Sequence, residues 1–232
     1  MTRRTNARIA GFTFLFYIAV AFSGMVLANS AASGEGTAAK LASIAHHASA
    51  MRLAIVLEML GCFCALVLAV TLYAITREQD PDLAMLAMTC RVAEGVIAAV
   101  SLPRMVGKLW LATAAGADAP DPASANVLGA VLFKLPSWST TLSATFFAVG
   151  STLFACLLLR GRIVPVGLAW LGVLSSILVM VCLPLQLVGI LHSPITDFMW
   201  LPMLAFEVTF ALWLIIKGAA VPLRRQQGAA NA

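Results

Sequence analysis

The chain has 232 residues, of which 61% are hydrophobic and only 11% charged, and its mean hydropathy is +0.96. A soluble domain carries roughly 25% charged residues, and a domain this small cannot hide so much apolar surface from water. Composition therefore excludes an independent water-soluble fold and points to the lipid bilayer as solvent. At about 20 apolar residues per crossing, the length holds roughly six spanning helices with short loops.

The formal net charge of +5 does not point to nucleic acid. The basic residues sit mainly at the ends of apolar runs, where they act as topology signals, and no basic patch is interleaved with aromatics. Cys62, Cys64, Cys90, Cys156 and Cys182 all lie inside apolar runs. None has the flanking ligands of a zinc or haem motif, so they read as small core residues. No cofactor or metal is expected.

In chain order, Arg3, Arg4 and Arg8 precede the apolar run Ile9 to Ser30. A secretory signal peptide has an apolar core of about 7–15 residues; this run is longer and is expected to be a retained first helix. The twin arginines lack the apolar residues that follow in an export signal. Residues 31–50 are small and polar and turn into helix near Thr37. Helix two is expected over Met51 to Ile75, and Arg77, Glu78, Asp80, Pro81 and Asp82 form a tight turn. Helix three runs from Leu83 beyond Leu102, with Pro103 as a kink or end. Residues 114–124 form a loop. Helix four begins between Asn126 and Trp138, where Lys134 and Pro136 interrupt the run, and ends at Arg160. Helix five spans Val164 to Leu191. Ser193 is a candidate N-cap and Pro194 the first position of helix six, which reaches Lys217. Residues 1–222 thus read as one transmembrane helical domain and 223–232 as a disordered polar tail. No internal repeat is visible.

The orientation follows from the distribution of lysine and arginine. With the N-terminus inside, Arg3, Arg4, Arg8, Arg77, Arg160, Arg162, Lys217, Arg224 and Arg225 all fall on the cytoplasmic side. The expected fold class is all-α: a polytopic bundle of about six helices with both termini cytoplasmic, in a bacterial inner membrane.

The informative residues are the ionisable ones inside apolar runs. A charge at mid-bilayer costs about 2.5–3.5 kcal/mol, whereas a Leu, Ile, Val or Phe returns only about 0.3–0.6. Helix three carries Arg91 and Glu94 near its middle. Its large aliphatic residues return roughly 3–4 kcal/mol against a charge cost of about 6, so the two charges must be paired and turned toward other helices. Three apart, they share a helical face. Glu207 in helix six should reach the depth of Arg91, whose guanidinium can bridge two carboxylates. Glu58 lies a third of the way down helix two from its outer end. Above it come Arg52, Arg104, Lys108 and Lys134, with His46, His47 and His192 near the mouth and Ser137, Ser139, Thr140, Thr141, Ser143 and Thr145 on helix four.

Two readings stay open. In one, Arg91, Glu94 and Glu207 are an ion-pair clasp that fixes helix order, while Arg52, Arg104, Lys108 and Lys134 reach to headgroups. In the other, the helices enclose a polar cavity in the outer half of the bundle. The catalytic candidates are then Glu58, Glu94 and Glu207, and the ligand-binding candidates are Arg52, Arg91, Arg104, Lys108 and Lys134. The excess of basic groups suits an anionic or amphiphilic ligand. The adjacent His46 and His47 read as a helix end rather than a metal site. Trp110, Trp138, Trp200 and Trp213 suit interfacial belts, and Pro184 and Pro202 are expected to kink helices five and six.

Several pieces also match a known group: Arg8-Ile9-Ala10-Gly11, Leu72-Tyr73, Arg91-Val92-Ala93-Glu94, Leu158-Leu159-Arg160 with Pro165, Gly167 and Leu168, and Glu207 with Trp213-Leu214-Ile215-Ile216-Lys217-Gly218. In this ordered set, spanning almost the whole chain, the sequence resembles a family of bacterial membrane proteins catalogued as a domain of unknown function and abundant in actinobacteria and related soil bacteria. Where the family has Val-Val-Glu after the helix-three arginine, this chain has Val-Ala-Glu. The resemblance implies a six-helix bundle and no established activity.

Three functions follow from these observations. The first is a cavity that binds a lipophilic small molecule and acts on it by acid–base chemistry, of cyclisation, isomerisation or epoxide-opening type. Glu58 is then the least constrained proton donor, and Glu58→Gln or Glu94→Gln should abolish turnover without loss of folded protein. The second is a small transporter or proton relay through Arg91, Glu94 and Glu207. The third is a non-catalytic assembly or regulatory subunit. The bilayer is the one partner that composition requires, a lipophilic ligand is the other expected one, and oligomeric state is left open.

Overall fold

The computed structural model describes residues 1–116, 119–134, 138–191 and 195–220, without the side chains of Trp138 and Ile195. Among these the chain is helical with no strands, and its helices are α1 (Arg3–Ala31), α2 (Gly36–His46), α3 (Ala48–Thr76), α4 (Pro81–Ala99), α5 (Ser101–Thr113), α6 (Pro122–Lys134), α7 (Trp138–Arg160), α8 (Val166–Leu187), α9 (Ile195–Phe198) and α10 (Trp200–Ile216). Six stretches are long and apolar enough to cross a bilayer: Arg3–Ala31, Ala48–Thr76, Pro81–Thr113, Pro122–Arg160, Val166–Leu187 and Thr196–Ile216. The expected all-α, six-span membrane fold is what the chain adopts. Three calls lie outside the described residues: the disordered tail, the Ser193–Pro194 helix start, and the residues His192, Pro136 and Ser137.

The six long helices close a ring. α1 packs on α3, α3 on α4, α4 on α7, α7 on α8, α8 on α10, and α10 returns to α1. Its outer surface carries Phe12, Phe22, Phe63, Val70, Val96, Leu174, Val181 and Leu212, all exposed. A continuous apolar girdle of this kind has no place in water and matches acyl chains. Inside, Phe14, Leu68, Leu72, Leu157, Leu158, Ile163, Phe210 and Leu214 form the core of one half of the bundle.

The ring closes on small residues, as close helix approach in a membrane requires. At the crossing of α1 and α10, a Cβ on Gly11 would stand 2.7 Å from the Ala211 carbonyl and from Ile215 Cγ1. Gly11→Val is therefore expected to cost about 1–3 kcal/mol by overpacking, measured as a lower thermal midpoint in detergent. An unchanged midpoint would mean that α1 and α10 are not in backbone contact.

Where the chain departs from the sequence-based elements, the causes are local. The third span breaks at Val100, three residues before Pro103, and the last breaks at Met199, three residues before Pro202. A proline cannot donate to the carbonyl four residues earlier and its ring clashes with it, so each break falls just after that carbonyl. Pro202 therefore sits in the first turn of α10 and does not kink it at mid-length. α8 runs through Pro184 and ends at Leu187, short of the expected Leu191. Gly189, at φ +76°, closes it: Ile190 N–H reaches the Leu185 carbonyl at 2.9 Å and Gly189 N–H the Gln186 carbonyl at 3.0 Å. This is the left-handed glycine stop of helices.

The expected loop at 114–124 is shorter than anticipated, because α6 starts at Pro122. The carboxylate of Asp121 accepts from the amides of Ala123 and Ser124 at 3.0 and 3.1 Å and from the Ser124 hydroxyl at 2.6 Å. These bonds hold its pKa below the ordinary carboxylate value, as expected of an anionic cap at a helix start. α2, α5 and α6 pack on one another and cap the end of the ring where α1 and α4 finish and α3 and α7 begin. Ile44, Met51, Met105, Leu109 and Phe133 form a second, smaller core there.

Candidate functional site

Inside the ring, α4 is pressed between α3 and α7. A Cβ on Gly95 would meet the Cys62 carbonyl at 3.1 Å, and one on Gly150 would meet the Ala87 carbonyl at 3.1 Å and Arg91 Cγ at 3.2 Å. Two such close crossings turn the Arg91–Glu94 face of α4 inward. Arg91 is 1% exposed, Glu94 3% and Glu207 7%.

Arg91 Nη1 stands 2.9 Å from Glu94 Oε2. Its guanidinium lies 4.8 Å from the ring centre of Phe147 and 5.9 Å from that of Phe14, so aromatic faces supply part of the stabilisation that water would otherwise give. The ion pair is close without being aligned as a hydrogen bond, and Arg91 Nε and Nη2 have no hydrogen-bond partner among the described residues. The other carboxylate oxygen of Glu94 accepts from the Tyr17 hydroxyl at 3.1 Å. Its backbone carbonyl accepts from the Ser143 hydroxyl at 2.9 Å.

Tyr17→Phe removes a hydrogen bond to a charged group and leaves a buried oxygen unpaired. About 1.5–3 kcal/mol of stability should go with it, read as a fall in thermal midpoint with the helical content intact. A midpoint equal to that of the parent protein would remove Tyr17 from the network.

Glu207 reaches the same interior from α10 but is not within ion-pair distance of Arg91. Its Oε1 is buried and has no hydrogen-bond partner among the described residues. The residue lines a cavity of about 370 Å³, at the lower end of the ~300–1,000 Å³ of small-molecule pockets. Glu58, Glu94, Tyr17, Thr140, Ser143 and Ser101 supply its polar wall, and Phe147, Trp200, Leu201, Met203 and Leu204 its apolar wall. The Ser101 hydroxyl stands 2.7 Å from the Ala98 carbonyl and 3.2 Å from Glu58 Oε1, and its one proton serves either acceptor. A smaller space of about 60 Å³ adjoins Tyr17, Glu58, Glu94 and Ala98 on the α3 side. The rim residues Trp200, Leu201 and Leu204 are 37%, 55% and 44% exposed, so the mouth is edged by side chains of the lipid-facing kind.

The three glutamates singled out from sequence thus line one cavity, with Arg91 directly behind it. The other four basic candidates do not line it. Lys108 lies in the cap, its ammonium 4.5 Å from the ring centre of Phe133, with Lys40 at 5.5 Å from the same ring. Lys134 and Arg52 are exposed, and Arg104 lies on α5, which packs on α2 and α6. His46 and His47 are exposed at the end of α2, and no group of metal-binding side chains occurs among the described residues. Of the hydroxyls expected on helix four, Thr140 and Ser143 reach the cavity, while Thr145 bonds its own helix at the Thr141 carbonyl, 2.8 Å away. Sequence reasoning missed Tyr17 altogether and placed Trp200 only in a belt. A lone aromatic in an apolar run carries no signal of its own.

None of the curated proteins and none of the solved structures matches this chain. The family comparison does reach the whole ring, from the start of α1 through Arg91, Glu94 and Glu207 to the glycine that ends α10: matching over residues 9–218, the chain belongs to the family described as Domain of unknown function (DUF4386).

Proposed function

We propose that this membrane protein takes an amphiphilic small molecule from the bilayer into the cavity between α1, α3, α4, α7 and α10 and acts on it by proton transfer. Glu207 is the free acid–base group, and Glu94 is a second carboxylate held in place by Arg91 and Tyr17. The observation that carries this reading is a buried glutamate, Glu207, on the wall of a cavity of about 370 Å³, with an Oε1 that has no hydrogen-bond partner among the described residues. A buried polar group without a partner is costly, and an ionisable group at membrane depth usually marks a site. The apolar rim favours a ligand that arrives through lipid. Glu58, tied to Ser101, becomes the supporting rather than the leading donor.

In this reading the protein sits in a bacterial inner membrane with both termini cytoplasmic. The ring end opposite the cap carries Arg3, Arg8, Arg77, Arg160, Arg162 and Lys217, in keeping with the positive-inside rule. A through-going transport path is less well supported, because Leu68, Leu157, Leu158 and Leu214 fill the interior on the other side of Arg91, each 1% exposed or less.

Native mass spectrometry of protein purified in mild detergent tests the reading. The parent protein should retain a small molecule that the cavity-filling variant Ala98→Trp loses. Identical spectra for both, with both proteins folded, would refute an intramembrane ligand site.

A further inference from the structure

The charge of the cavity wall is opposite to that of the chain as a whole. The protein carries a formal net charge of +5, yet none of the residues lining the cavity is basic, and three are glutamates. Arg91 stands behind the wall and is committed to Glu94 at 2.9 Å. Glu207 and Glu58 have no cation within ion-pair distance among the described residues, and Glu207 Oε1 has no hydrogen-bond donor either. The remaining wall is aromatic. Trp200 and Phe147 stand 6.2 Å apart, centre to centre, and Tyr17 closes the inner end. Carboxylates without an ion-pair partner beside π-faces in a low-dielectric cleft are the surroundings in which ammonium groups bind.

We infer that the ligand is a lipophilic amine, bound as its ammonium ion with the charged nitrogen against Glu207 and Glu58 and its hydrocarbon tail leaving between Leu201 and Leu204 toward the bilayer. This rests on the proposed function above and gives it a ligand class. It also reverses the anionic preference that the basic residues of the sequence suggest, because none of Arg52, Arg104, Lys108 and Lys134 lines the cavity and Arg91 is paired with Glu94. An anionic head would instead face Glu58 and Glu207 with no free cation to receive it.

A head-group series with a common tail tests the inference. Decyltrimethylammonium, 1-decanol and decyl sulfate are titrated into the full chain in uncharged maltoside micelles and followed by thermal midpoint and native mass spectrometry. The ammonium ion should bind at least about tenfold tighter than the alcohol, and the sulfate should not bind in the cavity. Glu207→Gln should bring the ammonium ion down to the level of the alcohol, and Glu58→Gln should weaken it by a smaller factor. Alcohol bound as tightly as the ammonium ion, or sulfate bound tightest, overturns the amine assignment while leaving an intramembrane site in place. If Ala98→Trp changes the binding of none of the three, the amine assignment and the cavity reading fall together.

Discussion

Replacing Arg91 with methionine is expected to remove about 3–5 kcal/mol of stability, the usual cost of stripping one partner from a buried ion pair. Glu94 would keep its Tyr17 hydrogen bond but lose its ion-pair partner, in a place 3% exposed. The aromatic faces of Phe14 and Phe147 would lose their guanidinium as well. The double replacement Arg91→Met with Glu94→Gln removes the uncompensated charge and should recover most of the loss, since an apolar or neutral replacement of a whole buried pair is often neutral or better. Thermal midpoints of the two variants in the same detergent give the comparison. A single variant within about 1 kcal/mol of the parent protein, or a double variant no better than the single, would show that Arg91 does not neutralise Glu94.

Glu207 should behave in the opposite way. Its Oε1 has no hydrogen-bond partner among the described residues, so Glu207→Leu removes an unsatisfied polar group, and stability should rise by about 1–3 kcal/mol. Function should be lost together with the carboxyl group. If Glu207 transfers a proton in the reaction, Glu207→Gln should lower turnover by about 10²–10⁴-fold in folded protein. Stability gained where activity is lost is the mark of a residue kept for function rather than for the fold. A destabilised Glu207→Leu variant would place Glu207 in the structural clasp with Arg91 instead.

Much of this architecture is legible in the amino-acid sequence because the bilayer imposes large energies. Spanning runs stand out at about 20 apolar residues each, and a charged residue within such a run has few places to go other than inward. That is why Arg91, Glu94 and Glu207 can be picked out without coordinates, and why the six spans and the pairing of Arg91 with Glu94 are legible as well. The same reasoning fails for Arg104 and Lys108. Position along a chain gives depth in the membrane but not direction, and α5, which carries both, packs on α2 and α6 in the cap.

The start of α2 near Thr37 is legible, but how α2, α5 and α6 pack on one another is hard to foresee for a related reason. Short helices such as Gly36–His46 owe their stability to packing rather than to propensity. Tyr17 and Trp200 escape notice because an aromatic side chain is at home both in a lipid-facing run and in a cavity wall. Only the partner, Glu94 for Tyr17 and Phe147 for Trp200, distinguishes the two settings. The expected bridge from Arg91 to both Glu94 and Glu207 needed more than equal depth. Arg91 lies across Phe147 and faces Glu94, and that leaves Glu207 turned to the cavity.

A lipophilic carbodiimide, which reaches carboxyl groups through the hydrocarbon phase and converts them to stable adducts, addresses the interior directly. Membranes containing the parent protein are treated, and the modified peptides are mapped by mass spectrometry. Glu207 should be labelled, and Glu94, held between Arg91 and Tyr17, should be spared. Unlabelled Glu207, or equal labelling of Glu94 and Glu207, would mean that no open cavity leads from the bilayer to a free carboxyl group inside the ring.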